Sequence, residues 1–582
     1  MNEKVSKATL RNWHKLNVDG TDKLMSRANK SRSEKLVLPS AYLPGYDMEE
    51  YLSKLQSLPH RIDDIIYSLC VYRLSLFGLI DKSHVRQTFS EYTGFRYIPE
   101  VESKEVLSLD KDILGYIYQA MTPEGERNKS GKYYTLDSVV SSMTDDIRLS
   151  DDKLFLDPCC GSGAFLTAIP ASNPENLYGI DIDPLAVMIA QTNLLIRYRH
   201  RVFLPNIFCF DFLQANAIET AKKQQEILST KFDYIYTNPP WGVDRDGLYP
   251  SLNISSKERA SLFLEKSYSL LKKEGVLKFL LPISLLHISV HNDIRKFICK
   301  HTLIQEIKIY DRKFNGVFTD FFEIKLRKAN PESAQQYLVS KGDKSYTVSF
   351  SFHTGDKIIP IPLTTANEST ILSKIEEKKH DDLSHSTWGL GIVTGDNKNK
   401  LKKEPAPALE KIYTGKEVTP YILKKNNYYI LYDRSQLQQC AKDALYRAPQ
   451  KLVYKFISEK PVFAYDGQGC LFLNSANILI PDVDSFSIKS VLAFLNSELY
   501  RFIYQIQFKD LKVLKGNLMK LPFPKLTSEE DLFLCAQVDK ILDKNISGTE
   551  TIEHFIYDFF NISHEERFYI KNFLSRSNDS VS

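Results

Sequence analysis

Four short apolar runs, each ending in an acid or an amide, most strongly limit the folds open to this chain. The polar ends are Asp157, Asp181, Asp211 and Asn238, and helical patterns separate the runs. Short apolar runs are typical of buried parallel strands, and the intervening helices supply the crossover connections. Since parallel strands share one carboxyl edge, these side chains should face a common ligand crevice. The pattern therefore predicts an α/β domain built on a doubly wound sheet.

The loop after the first of these strands indicates what the crevice binds. It reads DPCCGSG, and Gly161 and Gly163 would let the backbone approach a bound molecule at a helix N-terminus. The glycine spacing differs from the dinucleotide pattern, and the sequence contains no phosphate-binding G-x-x-x-x-G-K-[ST] loop. Asp181, at the end of the second strand, is placed to bind ribose hydroxyls. Together the acids favour a cationic adenosine, S-adenosylmethionine, and a Rossmann-like core with incidental acids is the alternative.

The fourth strand stops at the sequence Asn238-Pro239-Pro240-Trp241. Two successive prolines stiffen the turn and leave carbonyl groups without local partners. The side-chain oxygen of Asn238 and the carbonyl of Pro239 can each accept one hydrogen from an exocyclic amine, and Trp241 can stack on the attached ring. An ordinary Pro-Pro turn closed by a core tryptophan is the other interpretation of this stretch.

Five segments in this order resemble the motifs of the gamma-class N6-adenine DNA methyltransferases, the Taq-type methylase subunits of restriction-modification systems. The resemblance covers about residues 110 to 330, and one departure is Leu136, which replaces the usual proline. The segments are GKYYTL from Gly131, DPCCGSGAF from Asp157, GIDIDP from Gly179, FDFL from Phe210 and NPPW from Asn238.

This resemblance implies S-adenosylmethionine as the cofactor and assigns side chains to it. Asp157 and Thr135 would hold the methionine end, Asp181 the ribose, and Asp211 with Phe212 the adenine. No metal is expected. The implied cofactor-binding set is Thr135, Asp157, Pro158, Gly161, Gly163, Asp181, Ile182, Asp211 and Phe212.

The resemblance also implies transfer of a methyl group to the N6 amine of adenine in double-stranded DNA. A base inside a duplex cannot reach such a pocket, so the adenine must flip out. Phe318 would stack on the opposite face of the flipped base, and Phe314 or Phe322 could replace it. The implied catalytic set is Asn238, Pro239, Pro240, Trp241 and Phe318.

Changes in pattern along the chain divide it into regions. The first 40 residues suggest a helix-turn-helix module or a basic arm, because Val5 to Leu16 has helical spacing and a basic run follows. A further helix should restart near Asp137, with Thr135 or Asp137 as its cap. The expected regions are 1–40 as this arm, 41–120 as a helical domain, 121–330 as a Rossmann-like S-adenosylmethionine-dependent methyltransferase core and 331–582 as a mixed α+β DNA target-recognition domain.

The C-terminal region interleaves lysines with short strand-like pieces, which suits a groove that tracks phosphates. A solvated polar face is the alternative. Three stretches resemble the target-recognition domain of Taq-type adenine methyltransferases: GIVTGDN from Gly391, IYTGKEV from Ile412 and a helix-like LAFLNSELY from Leu492. The interleaved lysines are Lys398, Lys400, Lys402, Lys403, Lys424 and Lys425.

Composition indicates the cellular compartment of the protein. Its eight cysteines have no regular spacing, which favours reduced thiols in the cytoplasm. No apolar stretch of about 18 residues appears, so we expect neither secretion nor a membrane span. A net charge of +4 does not identify a partner. We expect a cytoplasmic monomer.

Several other functions remain open from the sequence. An enzyme of the same fold can methylate RNA or a protein glutamine, and the chain can also be a non-catalytic, sequence-specific DNA-binding subunit. A methylase-nuclease fusion would need a metal-binding acid and lysine cluster, and residues 1–120 show no convincing one. A separately encoded cognate restriction endonuclease is therefore favoured over a fusion.

Overall fold

The computed structural model divides the chain into two compact units, residues 28–363 and residues 1–27 with 364–582. The predicted N-terminal helix from Val5 to Leu16 lies outside the residues that the structure describes. Those residues are 18–20, 48–109, 111–123, 135–214, 222–243, 249, 251, 253–286, 288–310, 321–331, 334–342, 344–351, 361–458, 460–508, 512–543 and 548–576.

A nine-stranded sheet forms the centre of unit 28–363, and its spatial order is β3-β2-β1-β4-β5-β7-β6-β8-β9. In chain order these strands are β1 Phe155–Asp157, β2 Leu177–Asp181, β3 Asn206–Cys209, β4 Phe232–Thr237, β5 Leu271–Pro282, β6 Thr302–Tyr310, β7 Phe321–Lys328, β8 Ala334–Lys341 and β9 Lys344–Ser351.

The first five strands run parallel to one another, and β7 is antiparallel to both β5 and β6. The strand order reverses between β1 and β4, where Leu156 pairs with Ile235. A ligand crevice forms at such a reversal, beyond the carboxyl ends of the strands. Asp157 ends β1 and Asn238 follows β4, so the topology brings these two residues to the same place.

Alternating side chains of the central strands divide between two hydrophobic cores. Phe155 and Tyr236 belong to one core, while Leu156 and Ile235 belong to the other. Helices cover both faces, which explains why these strands are apolar throughout. The helices and helical turns of this part are Asp137–Thr144, Ala164–Ala168, Pro174–Asn176, Pro184–Arg197, Lys222–Ser229, Arg259–Leu270, Ile283–Leu286, Ser289–His291 and Asn292–His301.

The helix Pro184–Arg197 is buried over most of its length, and its start follows from the sequence. Proline at the first helical position has its φ already suited to a helix, and the carboxylate of Asp183 accepts a hydrogen bond from the N–H of Leu185 at 3.1 Å. By contrast, the predicted side-chain cap at Thr135 or Asp137 is wrong. Leu136 occupies the cap position of helix Asp137–Thr144 without a side-chain hydrogen bond.

Helices N-terminal to β1 share the first of these cores with the sheet. Leu69 and Leu114 are fully buried in the same cluster as Phe155 and Leu194. This part is therefore packed as a continuation of the sheet domain. Its helices and helical turns are Glu49–Ser57, Ile62–Leu76, Ser83–Phe89, Ser90–Tyr92, Pro99–Val101, Lys104–Leu107 and Ile113–Met121.

Residues 364–582, with strand Val18–Gly20, contain smaller sheets and a helical C-terminal part. Val18–Gly20 pairs antiparallel with Gln439–Ala441. A second sheet has the order Tyr428–Leu431, Leu409–Tyr413, Leu471–Phe472. A third has the order Thr387–Gly389, Ala476–Ile480, Lys451–Lys455, Phe463–Asp466.

Helices in this unit begin at well-formed caps. Thr365 and Glu368 form a capping box, as do Thr527 and Glu530. The stretch from Leu492 to Tyr500 is two helices that meet at Ser497, whose hydroxyl caps the second, so the expectation of one helix is corrected. The helices and helical turns are Ala366–Glu376, Asn397–Lys400, Arg434–Gln436, Asp443–Tyr446, Ile488–Asn496, Glu498–Gln507, Lys515–Leu518, Ser528–Leu542, Gly548–Phe559 and His564–Arg576.

Candidate active site

A cavity of about 330 Å³ lies at the carboxyl ends of β1 to β4, where the strand order reverses. Most of the predicted site residues line it together. They are Thr135, Asp157, Pro158, Gly161, Asp181, Ile182, Asp211, Phe212, Asn238 and Pro240.

Asp157 is the most buried acid of this cavity, with 1% of its surface exposed. Its Oδ1 accepts hydrogen bonds from the Thr237 hydroxyl at 2.6 Å and from the Cys159 N–H at 3.2 Å. Burial raises the pKa of Asp157 to about 7, the nearby Asp181 carboxylate adds to the rise, and the two hydrogen bonds oppose it. A cation bound nearby would stabilise the ionised form of this buried carboxyl group.

Asp181 fixes the two loops that flank the ends of β1 and β2. Its Oδ2 accepts a hydrogen bond from the N–H of Gly161 at 2.9 Å, and its Oδ1 accepts one from the N–H of Asp183 at 2.9 Å. Gly161 has a φ of +52°, which an L side chain rarely adopts. The Asp181 carboxylate therefore holds a glycine-dependent turn beside the cavity.

Gly163 does not line the cavity, although it was assigned to the cofactor. Its φ is +84°, and an added Cβ would lie 3.1 Å from the Cβ of Ala190 in the helix Pro184–Arg197. Close packing of that helix against the loop therefore accounts for a glycine at this position.

Asp211 lies just beyond β3, which ends at Cys209. Its Oδ1 accepts from the N–H of Leu213 at 2.9 Å, and its Oδ2 accepts from the Tyr249 hydroxyl at 3.0 Å. The ring of Phe212 packs against Phe263, with ring centres 5.4 Å apart, and both line the cavity. An apolar wall with a carboxylate at its edge suits a planar heterocycle that carries an amine.

Asn238 and Thr135 meet across the cavity. The Asn238 Nδ2 donates to the Thr135 Oγ1 at 3.1 Å, so the amide group is oriented by a residue from the segment before β1. Thr135 thus contacts the amide assigned to catalysis, and it precedes Leu136, which occupies the cap position of the helix that follows.

Pro239 and Trp241 support the Asn-Pro-Pro-Trp turn from outside the cavity lining. Pro239 is buried, and within the described part of the chain no donor reaches its carbonyl oxygen. Trp241 is half-buried, donates its indole N–H to the carbonyl of Leu280 at 3.2 Å and packs against Phe321. Trp241 is not part of the cavity lining.

The predicted stacking aromatic Phe318 and its substitute Phe314 lie outside the described residues. The other substitute, Phe322, is 1% exposed and belongs to the core beneath the sheet. The structure therefore gives Phe322 a packing role.

A short clamp fixes the chain after Trp241. Gly242, at a φ of +125°, donates its N–H to the Glu258 Oε1 at 2.9 Å, and its carbonyl accepts from the N–H of Arg259 at 2.8 Å. Burial raises the pKa of the Glu258 carboxyl group. The clamp holds the exit of the turn against the start of the helix Arg259–Leu270.

Besides Ala186, which lies just after the GIDIDP segment, four cavity-lining residues lie outside the quoted motifs: Tyr118, Tyr249, Arg259 and Phe263. Tyr118 comes from the helical region before β1, far from any motif. The other three follow the Asn-Pro-Pro-Trp turn, and Arg259 and Phe263 lie on the helix Arg259–Leu270. Tertiary packing alone brings them to the cavity.

The unit formed by residues 1–27 and 364–582 carries exposed lysines. Some of them lie near an ordered turn, and others line a second cavity. The buried Glu417 accepts from the backbone N–H and the hydroxyl of Thr414, each at 2.7 Å, which leaves Lys416 exposed at the tip of the turn. Lys398 is exposed, whereas Lys400 donates to the carbonyl of Thr394 at 2.7 Å and to that of Gln436.

A cavity of about 550 Å³ in the same unit is lined by Lys424 and Lys425 together with Gln468. Gln468 lies on an exposed turn that Asp466 holds by accepting from the N–H groups of Gln468 and Cys470. Asp466 in turn forms a buried ion pair with Lys451 at 2.5 Å. The turn is therefore rigidly supported beneath an exposed polar side chain.

The strand order, the acidic strand ends and the glycine loop define a Rossmann-like methyltransferase core. Matches to two family models agree with this class. Residues 175–318 match the Eco57I restriction-modification methylase, and residues 410–523 match the TaqI-like C-terminal specificity domain.

Similar proteins place the chain in a family. The Type II methyltransferase M.VspI of Vibrio sp. (strain 343) is 31% identical over 317 residues, which span 53% of this chain and 75% of that protein. The chain belongs to the restriction-modification methyltransferases. The methylase subunit of the Type I restriction enzyme EcoEI from Escherichia coli is 25% identical over 238 residues, 38% of this chain and 46% of that subunit. The chain thus spans less than half the length of that subunit.

Solved structures share the fold. The Type IIL restriction-modification enzyme MmeI, solved in complex with DNA, superposes with a TM-score of 0.54 at 12% identity over 93% of this chain and 94% of that chain. The DrdV–DNA complex gives a TM-score of 0.51 at 12% identity over 85% and 67% of the two chains. The predicted α/β class is confirmed. Within the described residues, no helix combines the length and apolar character needed to cross a bilayer.

Proposed function

We propose that this protein transfers a methyl group from S-adenosylmethionine to the N6 amine of a flipped-out adenine in double-stranded DNA. The observation that carries the proposal is the position of Asn238. Its amide lines the same cavity as four carboxylates, and the carbonyl of Pro239, a further acceptor, follows it directly in the chain.

The residues of the cavity fit S-adenosylmethionine. This cofactor is a cation with a ribose and an adenine, and the cavity offers a buried acid, three further acids and an aromatic wall. Asp157 and Thr135 would hold the methionine end, Asp181 the ribose, and Asp211, Phe212 and Ile182 the adenine. Pro158 and Gly161 line the cavity between them.

When bound, S-adenosylmethionine supplies an electrophilic methyl group, and the protein must supply orientation and acceptors. The lone pair of an adenine amine is conjugated into the ring, so the amine is a weak nucleophile. Two acceptors on its hydrogens, Asn238 Oδ1 and the Pro239 carbonyl, would localise that lone pair on nitrogen. The hydrogen bond from Asn238 Nδ2 to Thr135 favours this orientation, because it directs the amide nitrogen away from the substrate amine.

A mechanism through a cysteine nucleophile has little support. Cys159 lies beside the turn, but its Sγ is 2.9 Å from the Thr237 hydroxyl and 3.4 Å from the Asn238 carbonyl. Burial and the Asp157 carboxylate raise the pKa of the Cys159 thiol, which disfavours the thiolate that such a mechanism needs.

We further propose that residues 364–582 read the DNA sequence. Exposed Lys398, Lys416, Lys424 and Lys425 would contact phosphates, and Gln468, on its braced turn, is suited to a base edge. The family membership supports a modification enzyme, and we propose that a separately encoded endonuclease is its partner. We propose that it acts in the cytoplasm as a monomer.

The deciding experiment is methylation of genomic DNA with isotope-labelled S-adenosylmethionine, followed by digestion to nucleosides and mass spectrometry. We expect N6-methyladenine. Label in N4-methylcytosine would retain the amine chemistry but correct the base, and label only in RNA or protein would overturn the proposal.

The substitution Asn238→Ala tests the catalytic role assigned to Asn238. It should abolish methyl transfer, while calorimetry should show nearly unchanged affinity for S-adenosylmethionine, because Asn238 would touch the target amine. A variant that methylates DNA near the wild-type rate would remove the assigned role of Asn238.

A further inference from the structure

The helix Ile113–Met121 lies outside every motif assigned to the cofactor, yet it contacts two of the loops that form the cofactor cavity. Its first contact is made by Asp112, which caps the helix. The Asp112 Oδ1 accepts from the N–H of Gly115 at 3.0 Å and from the Asn193 Nδ2 at 2.7 Å, and its Oδ2 accepts from the hydroxyl of Ser162. Ser162 belongs to the glycine-containing loop and lines the cavity.

Asn193 closes this cluster. Its Nδ2 also donates to the carbonyl oxygen of Ser162 at 3.0 Å, so both the side chain and the backbone of Ser162 are held. Burial raises the pKa of Asp112, and its three donors and the nearby Arg73 act in the opposite direction. A desolvated carboxylate is stabilised when several donors surround it, and replacing it leaves those donors buried without an acceptor.

Gly115 shows how closely the helix approaches the loop. An added Cβ would lie 2.3 Å from the Asp112 Oδ2 and 2.7 Å from both Cβ and Oγ of Ser162. Those distances leave no room for a side chain. A glycine in the first turn of this helix is therefore explained by contact with the cavity loop.

The second contact lies one turn further along the helix. The Tyr118 hydroxyl donates to the Asp183 Oδ2 at 2.6 Å, and Tyr118 and Asp183 both line the cavity. Asp183 follows the acid assigned to ribose and caps the helix Pro184–Arg197. One helix thus connects the loop after β1 with the loop after β2.

We propose that the helix Ile113–Met121 is part of the cofactor site, and that Asp112 and Tyr118 are positioning residues. They hold the loop around Ser162 and the strand end around Asp183 in the arrangement that binds S-adenosylmethionine. This inference rests on the proposed function, since it takes the cavity as the cofactor site. It predicts that cofactor affinity depends on a region that carries none of the methyltransferase motifs.

The test measures the Kd for S-adenosylmethionine by calorimetry on the full-length protein, with the melting temperature of each variant recorded in parallel. Tyr118→Phe removes only the hydroxyl and should raise the Kd roughly tenfold, with a melting temperature near that of the wild type. Tyr116→Phe is the matched control, because Tyr116 is a buried tyrosine of the same helix that does not line the cavity. Its Kd should match that of the wild type.

Asp112→Asn and Ser162→Ala test the other contact. Each should raise the Kd at least fivefold. The Kd of the double variant should not exceed that of the single variant with the higher Kd, because both substitutions remove the same hydrogen bond between Ser162 and Asp112. If Asp112→Asn does not fold, Ser162→Ala and Tyr118→Phe still decide the matter.

Two failures are distinguishable in this design. A wild-type protein that does not bind S-adenosylmethionine refutes the proposed function. If the wild type binds and Tyr118→Phe and Ser162→Ala bind equally well, only the positioning role is refuted, and the helix is then a packing element.

Discussion

The raised pKa of Asp157 makes cofactor affinity depend on pH, and one substitution should reduce this dependence. The carboxyl group is buried beside Asp181, and its pKa is raised to about 7, well above the ordinary value near 3.8. Binding of a cation requires the ionised form, so binding below pH 7 must release a proton. The affinity of the protein for S-adenosylmethionine should therefore decline as the pH falls through 7.

The size of the effect follows from the pKa. Roughly a tenth of the Asp157 carboxyl groups are ionised at pH 6, half at pH 7 and nine-tenths at pH 8. The Kd should then be about tenfold higher at pH 6 than at pH 8, which corresponds to about 1.4 kcal/mol. The α-amino group of the cofactor itself titrates near pH 8, so the same series is needed for a variant without the carboxyl group.

Asp157→Asn is that variant, because its amide oxygen can still accept from Thr237 and Cys159. Calorimetry at pH 6, 7 and 8 in buffers of different ionisation enthalpy gives both the Kd and the number of protons released. We expect weaker binding by Asp157→Asn at pH 8 and a smaller pH dependence than in the wild type. Equal pH dependence in the two proteins, or no proton release by the wild type at pH 6, would refute the reasoning.

The same pKa predicts a change in stability of the cofactor-free protein. The unfolded carboxyl ionises near pH 4 and the folded one near pH 7, so the folded state binds the extra proton between these values. The stabilising contribution is complete below about pH 4 and is lost as the pH rises through 7. Asp157→Asn should consequently melt at a higher temperature than the wild type at pH 8 and show little difference at pH 4.

Four substitutions test other parts of the molecule. Asp181→Ala should raise the Kd for S-adenosylmethionine about 10- to 100-fold by calorimetry, since it removes charge-assisted hydrogen bonds; an unchanged Kd would move the ribose contact elsewhere. Lys398→Ala should weaken DNA binding to all sequences and reduce the slope of log affinity against log salt by about one; a changed sequence preference would instead indicate a base contact. Lys400→Ala should chiefly lower stability by about 1–2 kcal/mol in urea unfolding, because this lysine bonds two carbonyls of its own unit; a loss of DNA affinity at full stability would contradict that. Gly391→Ala should destabilise the C-terminal unit strongly, because its Cβ would lie 2.2 Å from the carbonyl oxygens of Leu473 and Ala476, and an unchanged melting temperature would refute that packing.

The central sheet could be predicted because its signals are local. Each strand is a short apolar run, and each is followed by a polar residue at a turn, so the order of elements and the site of the crevice follow from the pattern. The predicted ends of the strands were less accurate. The third apolar run ends at Asp211, whereas β3 ends at Cys209, because Asp211 turns the chain by accepting from the N–H of Leu213.

The residues of the site were also predicted only in part. Residues at strand ends reached the cavity as predicted by position, and their assigned roles remain predictions. Gly163 has a reason that no sequence pattern shows, since Ala190 lies far along the chain. Tyr118 and Phe263 were missed for a related reason: no local spacing distinguishes an aromatic residue that lines a cavity from one that fills a core.

The strand Val18–Gly20 has a consequence for how such genes can recombine. It pairs with Gln439–Ala441, so the unit that contains residues 364–582 also takes a piece of the N-terminus. A crossover at a single point near residue 363 would give a chimera in which Gln439–Ala441 meets a foreign partner. Two junctions, one near residue 27 and one near residue 363, would transfer the whole unit. Lineages that acquire new specificities by exchange should therefore show paired breakpoints at these places.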